Sequence, residues 1–229
     1  MPTPIAEGRP IEADLTPPAI ATVAAIDYVV AENAKTARAF LKRLPLARPI
    51  QAIEIVELNE RTRDDAVVAM LDPLLAGRDA ALVSEAGCPG VADPGARLVR
   101  AAHEAGVPVV PMVGPSALLL ALMGSGLDGQ RFAFVGYLPT DAEARRRRLH
   151  ELEQRSRRER ETVLFIETPY RNAPMLDALL ATLAPSTLLC VAADLTGARH
   201  RLATRSVAEW RRAPPVPEKV PTVFLFLAR

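Results

Sequence analysis

The stretch Ala80-Ala-Leu-Val-Ser-Glu-Ala-Gly-Cys-Pro-Gly-Val-Ala-Asp-Pro-Gly95, running straight into a helical run over 96–105, decides the class of fold. Four apolar residues read as a buried strand, and the residues after Gly95 have helical periodicity. Between them, glycines at 87, 90 and 95 and prolines at 89 and 94 make a stiff loop whose backbone can approach a ligand closely. In an α/β fold such a loop lies at the carboxyl end of a strand, where ligands bind. It is not a P-loop, because no Gly-Lys-Ser/Thr ends it. Without a ligand, the same segment reads as a long turn.

Outward from that loop the alternation repeats. Apolar runs at 28–31, 50–56, 80–83 and 107–110 read as buried strands, and 19–26, 34–44, 66–75, 96–105 and 117–123 as the helices between them. Strand–helix–strand order over about 120 residues predicts a mainly parallel sheet with helices on both faces. Past the turn-rich Gly124-Ser-Gly-Leu-Asp-Gly129 the rhythm changes. Strands at 132–137, 163–166, 188–192, 202–206 and 223–227 with helices at 142–158 and 173–183 predict a second α/β unit with a mixed sheet. The expected domains are therefore 1–128 and 129–229. The Gly124–Gly129 segment spells the dinucleotide fingerprint, but it follows a helix and leads into a strand, the reverse of the order that chemistry needs, and reads as a helix stop.

Composition narrows the function. The 229 residues are 49% apolar and 24% charged, those of a globular chain, with 28 Lys+Arg against 27 Asp+Glu. Residues 1–128 hold 11 basic and 16 acidic groups, whereas 129–229 hold 17 and 11, so the parts are suited to different tasks. Two cysteines, Cys88 and Cys190, and three histidines predict neither a disulfide scaffold nor a metal site. The longest apolar run falls well short of the roughly 20 residues that span a bilayer, and the first residues lack signal-peptide features; the expectation is a cytoplasmic protein without a membrane partner. A second loop, Pro111-Met-Val-Gly-Pro-Ser-Ala117, opens a helix, so Ser116 either meets a polar ligand group or caps the helix.

Five spaced segments carry a resemblance. Val83-Ser-Glu-Ala-Gly-Cys-Pro-Gly-Val-Ala-Asp-Pro-Gly95, Val109-Val-Pro-Met-Val-Gly-Pro-Ser-Ala117, Phe134-Val-Gly-Tyr-Leu-Pro139, Glu167-Thr-Pro-Tyr-Arg171 and Ala193-Asp-Leu-Thr196 resemble, in order, the ribosomal RNA small subunit 2′-O-methyltransferase I family, within the tetrapyrrole methylase superfamily. The resemblance implies a two-domain tetrapyrrole methylase-like α/β fold and a homodimer. It also implies S-adenosylmethionine (SAM) bound in a cleft between the domains. The implied cofactor residues are Pro4, Gly87, Cys88, Pro89, Val91, Ser116, Ala117, Ala193, Pro221 and Thr222. The implied activity is methylation of a ribose 2′-hydroxyl of small-subunit ribosomal RNA. Methylation of a small molecule such as a tetrapyrrole, and SAM binding without turnover, are the alternatives.

Three stretches depart from the family. Its first strand precedes the Pro2-Thr-Pro-Ile5 motif, so either translation starts upstream or the sheet lacks a strand. Ala31-Glu-Asn-Ala-Lys-Thr-Ala-Arg38 and Ile55-Val-Glu-Leu-Asn-Glu60 replace an acidic, arginine-rich pattern and a histidine-rich one. These departures imply a divergent paralogue.

Methyl transfer asks a protein to align donor and acceptor, and a ribose hydroxyl must lose a proton. Carboxylates expected near strand ends are Glu85, Asp93, Glu167 and Asp194. Glu167 with Arg171 is the favoured catalytic pair; the competing reading is that the two brace their own turn, and Asp93 equally suits a helix cap. Residues 143–160 hold eight arginines, and the consecutive Arg145, Arg146, Arg147 and Arg148 are candidates for RNA phosphates, or for a solvated helix with ion pairs such as Arg147–Glu151.

Overall fold

The computed structural model describes residues 1–216 and 218–229. It divides the chain into two compact units, Met1–Ser116 and Ala117–Arg229.

In the first unit the elements run α1 (Pro17–Ala25), β1 (Tyr28–Ala31), α2 (Ala34–Leu41), β2 (Glu54–Glu57), α3 (Asp64–Ala69), α4 (Asp72–Leu75), β3 (Ala80–Val83) and α5 (Ala96–Glu104). The strands form a parallel sheet in the order β2-β1-β3, with Val29 opposite Ile55 on one side and Ala81 on the other. β1 is buried throughout because it is central, and its side chains alternate between two cores. Val29 and Ala31 join Phe40 and Leu41 of α2, while Tyr28 and Val30 join Val67, Met70 and Leu98. Helices therefore cover both faces, as expected. α2 begins where it does because Asn33 Oδ1 accepts from the amides of Lys35 and Thr36.

Two expectations here are corrected. Residues 107–110 form no strand: Val109 and Val110 are 37% and 75% exposed, and Pro108 and Pro111 remove the N–H donors that a ladder needs. Residues 50–56 are not one strand either. Ile50–Ala52 is a 3₁₀ turn after Pro49, and β2 starts at Glu54 as a half-exposed edge.

The second unit runs α6 (Ala117–Ser125), β4 (Phe132–Tyr137), α7 (Ala142–Glu159), β5 (Thr162–Glu167), α8 (Asn172–Thr182), β6 (Leu188–Ala193), β7 (Arg201–Ser206), α9 (Val207–Arg212) and β8 (Thr222–Leu227). Its sheet has the order β4-β5-β8-β6-β7, with β4 parallel to β5 and the remaining pairs antiparallel. That is the mixed sheet the sequence predicts. One face packs Phe165, Phe224 and Phe226 against Leu149 and Leu152 of α7 and Met175 and Leu179 of α8. Phe165 stacks on Phe224 with ring centroids 5.4 Å apart.

The other face carries α6, so the division falls at Ser116/Ala117 instead of 128/129. A Cβ on Gly124 would come within 2.5 Å of Leu202, and the Thr204 hydroxyl donates to the Ser125 carbonyl. α6 ends at Ser125, Gly126 turns the chain at φ +67°, and β4 follows; helix then strand is the context that excludes the dinucleotide reading. The sequence reading missed α9, whose Ser206 and Glu209 form a reciprocal capping box. No helix among the described residues is long and apolar enough to cross a membrane.

Phe165 is fully buried between two sheet neighbours and a helix layer. Phe165→Ala should cost about 3–5 kcal/mol in denaturant unfolding of this unit.

Candidate functional site

In the first unit three separate segments are knitted together by main-chain contacts. Thr3 and Gly87 exchange both backbone hydrogen bonds, at 2.9 and 3.1 Å. The Ser84 hydroxyl donates to the Gly87 carbonyl at 3.0 Å, and the Cys88 thiol lies 3.3 Å from the Pro115 carbonyl oxygen, to which it donates. Gly87 has φ +79°, a conformation that favours glycine, and a Cβ there would already touch Ile5. Gly114 is pressed on Pro2 so closely that a Cβ would lie 2.3 Å from the ring. The fold thus brings Pro4, Gly87, Cys88 and Pro89 alongside the Gly114–Ser116 loop, with Val91 48% exposed beside them.

Asp93 is spent on this loop. Its Oδ1 accepts from the amides of Gly90 and Gly95, at 2.7 and 2.8 Å, so it organises the turn instead of presenting a free carboxylate. Burial pushes the Cys88 thiol up from its ordinary pKa, which keeps it protonated.

At the carboxyl edge of the parallel sheet lie Glu32 after β1, Glu57 at the end of β2 and Glu85 after β3. Glu57 accepts from the Ala34 amide at the start of α2. Glu85 is exposed, with the Thr36 hydroxyl 3.5 Å away. Glu32 has its carboxyl raised above the usual range, first by burial and then by the charges of Glu85, Asp93 and Glu60. The sequence reading did not single out Glu32, because its charged neighbours are remote in sequence and meet only through the sheet.

In the second unit the Glu167 side chain is fully buried. One oxygen accepts from the Thr168 amide at 2.8 Å and the other lies 3.0 Å from an Arg171 nitrogen, an ion pair without the alignment of a hydrogen bond. The same Arg171 nitrogen reaches the carbonyls of Leu138 and Pro139 at 3.4 and 3.3 Å. Asp194 sits at φ +48° and accepts from the Arg199 amide at 2.7 Å, ordering the loop after β6. Ala193 pairs with Thr222 across β6 and β8, and the Pro221 carbonyl accepts from the Asp194 amide. Ala117 opens α6.

Of the four consecutive arginines, Arg145 is 9% exposed and donates to the carbonyls of Pro139 and Thr140. Arg147 pairs with Glu143, not Glu151, and Arg148 takes Glu151. Arg146 is exposed and makes no ion pair among the described residues.

The model of the tetrapyrrole (corrin/porphyrin) methylases matches residues 11–210. The chain belongs to that family. Its relatives include proteins named Ribosomal RNA small subunit methyltransferase I. The one from Synechocystis is 35% identical over 80% of this chain and 62% of its own length. The one from Xylella fastidiosa is 37% identical over 80% and 64%. The chain thus spans a little under two thirds of these curated relatives. Among solved structures, this tetrapyrrole methylase chain is similar in fold to the methyltransferase CobJ, with TM-score 0.61 and 21% identity over 96% of this chain and 90% of that one. Uroporphyrin-III-C-methyltransferase from Thermus thermophilus gives 0.54 and 16% over 98% and 91%.

The raised carboxyl of Glu32 yields a pH prediction. Its folded pKa exceeds the unfolded one, so ionising it opposes folding; the cost is absent below the ordinary value of 4.5 and present at neutral pH. Glu32→Gln should melt higher than the parent at pH 7, and the gap should close below about pH 4.5 in thermal scans.

Proposed function

We propose that this tetrapyrrole methylase acts as a SAM-dependent methyltransferase on a ribose 2′-hydroxyl of small-subunit ribosomal RNA. The observation that carries the reading is the knitted Thr3, Gly87–Pro89 and Gly114–Ser116 cluster, made of small residues and main-chain groups. Such a surface fits a ligand held by backbone contacts. The names of the relatives support RNA as the acceptor.

Pro4, Gly87, Cys88, Pro89, Val91 and Ser116 of the first unit would hold SAM. The bound cofactor supplies an electrophilic methyl group. The chain's task is then alignment and removal of the hydroxyl proton. Asp93, Asp194 and Glu167 are occupied by backbone amides or by Arg171, whereas the Glu85 carboxylate is exposed. We assign Glu85 the proton and Glu167 with Arg171 the bracing of the turn after β5. Arg146, with Arg147 and Arg148 released from surface pairs of small net worth, would meet RNA phosphates, whereas Arg145 holds the chain before α7. A homodimer in the cytoplasm completes the proposal, and light scattering should give about twice 24.7 kDa.

Three measurements test this. S-adenosylhomocysteine should bind the wild type in calorimetry and fail to bind Gly87→Trp, with Val68→Trp, at an exposed site on α3, as a control; equal affinities would remove the site assignment. Glu85→Gln should lower turnover by about 10²-fold or more at unchanged cofactor affinity, while Glu167→Gln should melt earlier but keep its rate per folded molecule. Ribosomal RNA from a deletion strain should lack one ribose methylation present in its parent. Unchanged RNA, with methylation of a small acceptor intact, would overturn the RNA substrate.

A further inference from the structure

The turn after β5 carries a side chain that none of the roles above uses. Tyr170 is 80% exposed, although it sits between the buried Glu167 and the buried Asn172. The 3₁₀ turn Pro169–Arg171 puts it there: the proline ring fixes the φ of residue 169, and the Arg171 amide donates to the Thr168 carbonyl at 2.8 Å. Arg171 is drawn back to Glu167 and to the carbonyls of Leu138 and Pro139, which leaves Tyr170 facing solvent. Its ring stays outside the aromatic core of this unit.

Lys219 approaches that ring. Its Nζ lies 5.7 Å from the ring centroid, within reach of a cation–π contact. The backbone holds this approach, because Asn172 Nδ2 donates to the carbonyls of Glu218 and Val220 on either side of Lys219, both at 2.8 Å, and to Thr222 Oγ1 at 3.0 Å. One buried amide thus anchors both members of the pair. The ammonium makes no ion pair among the described residues. Glu218 is taken up by Arg199 and Arg201, at 3.6 and 3.5 Å, so the surroundings of Lys219 are net positive.

The sheet sets where this pair stands. Glu167 at the end of β5 pairs with Thr222 at the start of β8, and Tyr170 and Lys219 each lie three residues beyond, past the same edge. A ring without a packing duty, with an unpaired cation beside it, matches a nucleotide whose base is unstacked: the base lies on the ring and a phosphate meets the ammonium. A nucleotide inside a duplex has both faces covered by its neighbours and cannot use such a ring. We infer that Tyr170 and Lys219 form a platform for one unpaired nucleotide, so that the RNA acceptor is single-stranded or looped at that point. The inference rests on the RNA reading of the proposed function and deepens it.

A labelled RNA oligonucleotide titrated with the full chain tests this by fluorescence anisotropy, with S-adenosylhomocysteine present. The wild type should bind the single strand at least about tenfold more tightly than the same RNA annealed to its complement. Tyr170→Ala should weaken the single strand by about tenfold or more, whereas Tyr170→Phe keeps the stacking face and the parent affinity. Both variants should melt within a few degrees of the wild type, because the residue is exposed. Lys219→Gln should make the slope of log affinity against log salt shallower by about 0.7, and Lys219→Arg should restore it. Affinity for S-adenosylhomocysteine should stay that of the wild type in all four. A Tyr170→Ala variant that binds the single strand like the parent, or a duplex bound as tightly as the single strand, would overturn the inference and leave the proposed function standing. A Tyr170→Ala effect confined to the mass seen in light scattering would make the patch an interface between copies and overturn it equally. If the wild type bound no RNA yet methylated a small acceptor, the RNA reading would fall and the platform with it.

Discussion

Both main-chain groups of Gly87 are committed to Thr3, and that pairing fixes the part of the first unit on which the proposed chemistry depends. It requires a residue at φ +79°, which a side chain would oppose both by conformation and by contact with Ile5. Once Gly87 is fixed, the Cys88 thiol reaches the Pro115 carbonyl and Gly114 closes on Pro2. The surface is built from backbone, and side-chain identity at its middle matters less. The cysteine at position 88 is tolerable for that reason: its thiol is raised, protonated and used as a weak donor.

The second unit is organised from the opposite principle. β8 lies between β5 and β6, buried along nearly its whole length, and leaves almost no polar group to direct packing. Direction comes from side chains at the edges of the aromatic layer. Glu167 and Arg171 tie the turn after β5 to the carbonyls of residues 138 and 139. Asn172, one residue on, ties the start of α8 to residues 218–222. Breaking either partner of the Glu167–Arg171 pair leaves a charge with little access to water, so these positions are sensitive for reasons of stability before any question of catalysis.

Local signals were legible and remote ones were not. The strands at 28–31, 80–83 and 132–137 are readable to the residue because each is an apolar run closed by turn formers. The residues at 107–110 misled because Val-Pro-Val-Val is apolar enough for a strand while its prolines cannot serve a ladder. α9 escaped because six residues hold too few turns to show a period, although Ser206 with Glu209 three residues later was a usable start signal. At the candidate site, the glycine spacing announced a loop of special geometry, while Asp93 was readable either as a site carboxylate or as a helix cap, and only the path of the loop shows that it takes the Gly90 and Gly95 amides. Arg145 could not be told from Arg146 without knowing which side of α7 faces the core.

The parallel sheet also explains where the negative charge of the first unit collects. Parallel strands deliver the residues that follow them to one edge, so Glu32, Glu57 and Glu85, each about 25 residues from the next, become neighbours. Glu57 is relieved by the start of α2, where the amide of Ala34 and the helix dipole favour an anion. The Glu32 carboxyl is raised, first by burial and then by the charges of Glu85, Asp93 and Glu60. An edge of this kind favours a ligand carrying positive charge. On the proposed reading the donor is a sulfonium and the product a neutral thioether, so an electrostatic attraction that helps to hold the donor fades once the methyl group has left. The burial and charge that weaken the fold at Glu32 would then favour exchange of spent cofactor for fresh, a use for an arrangement that stability alone would have removed.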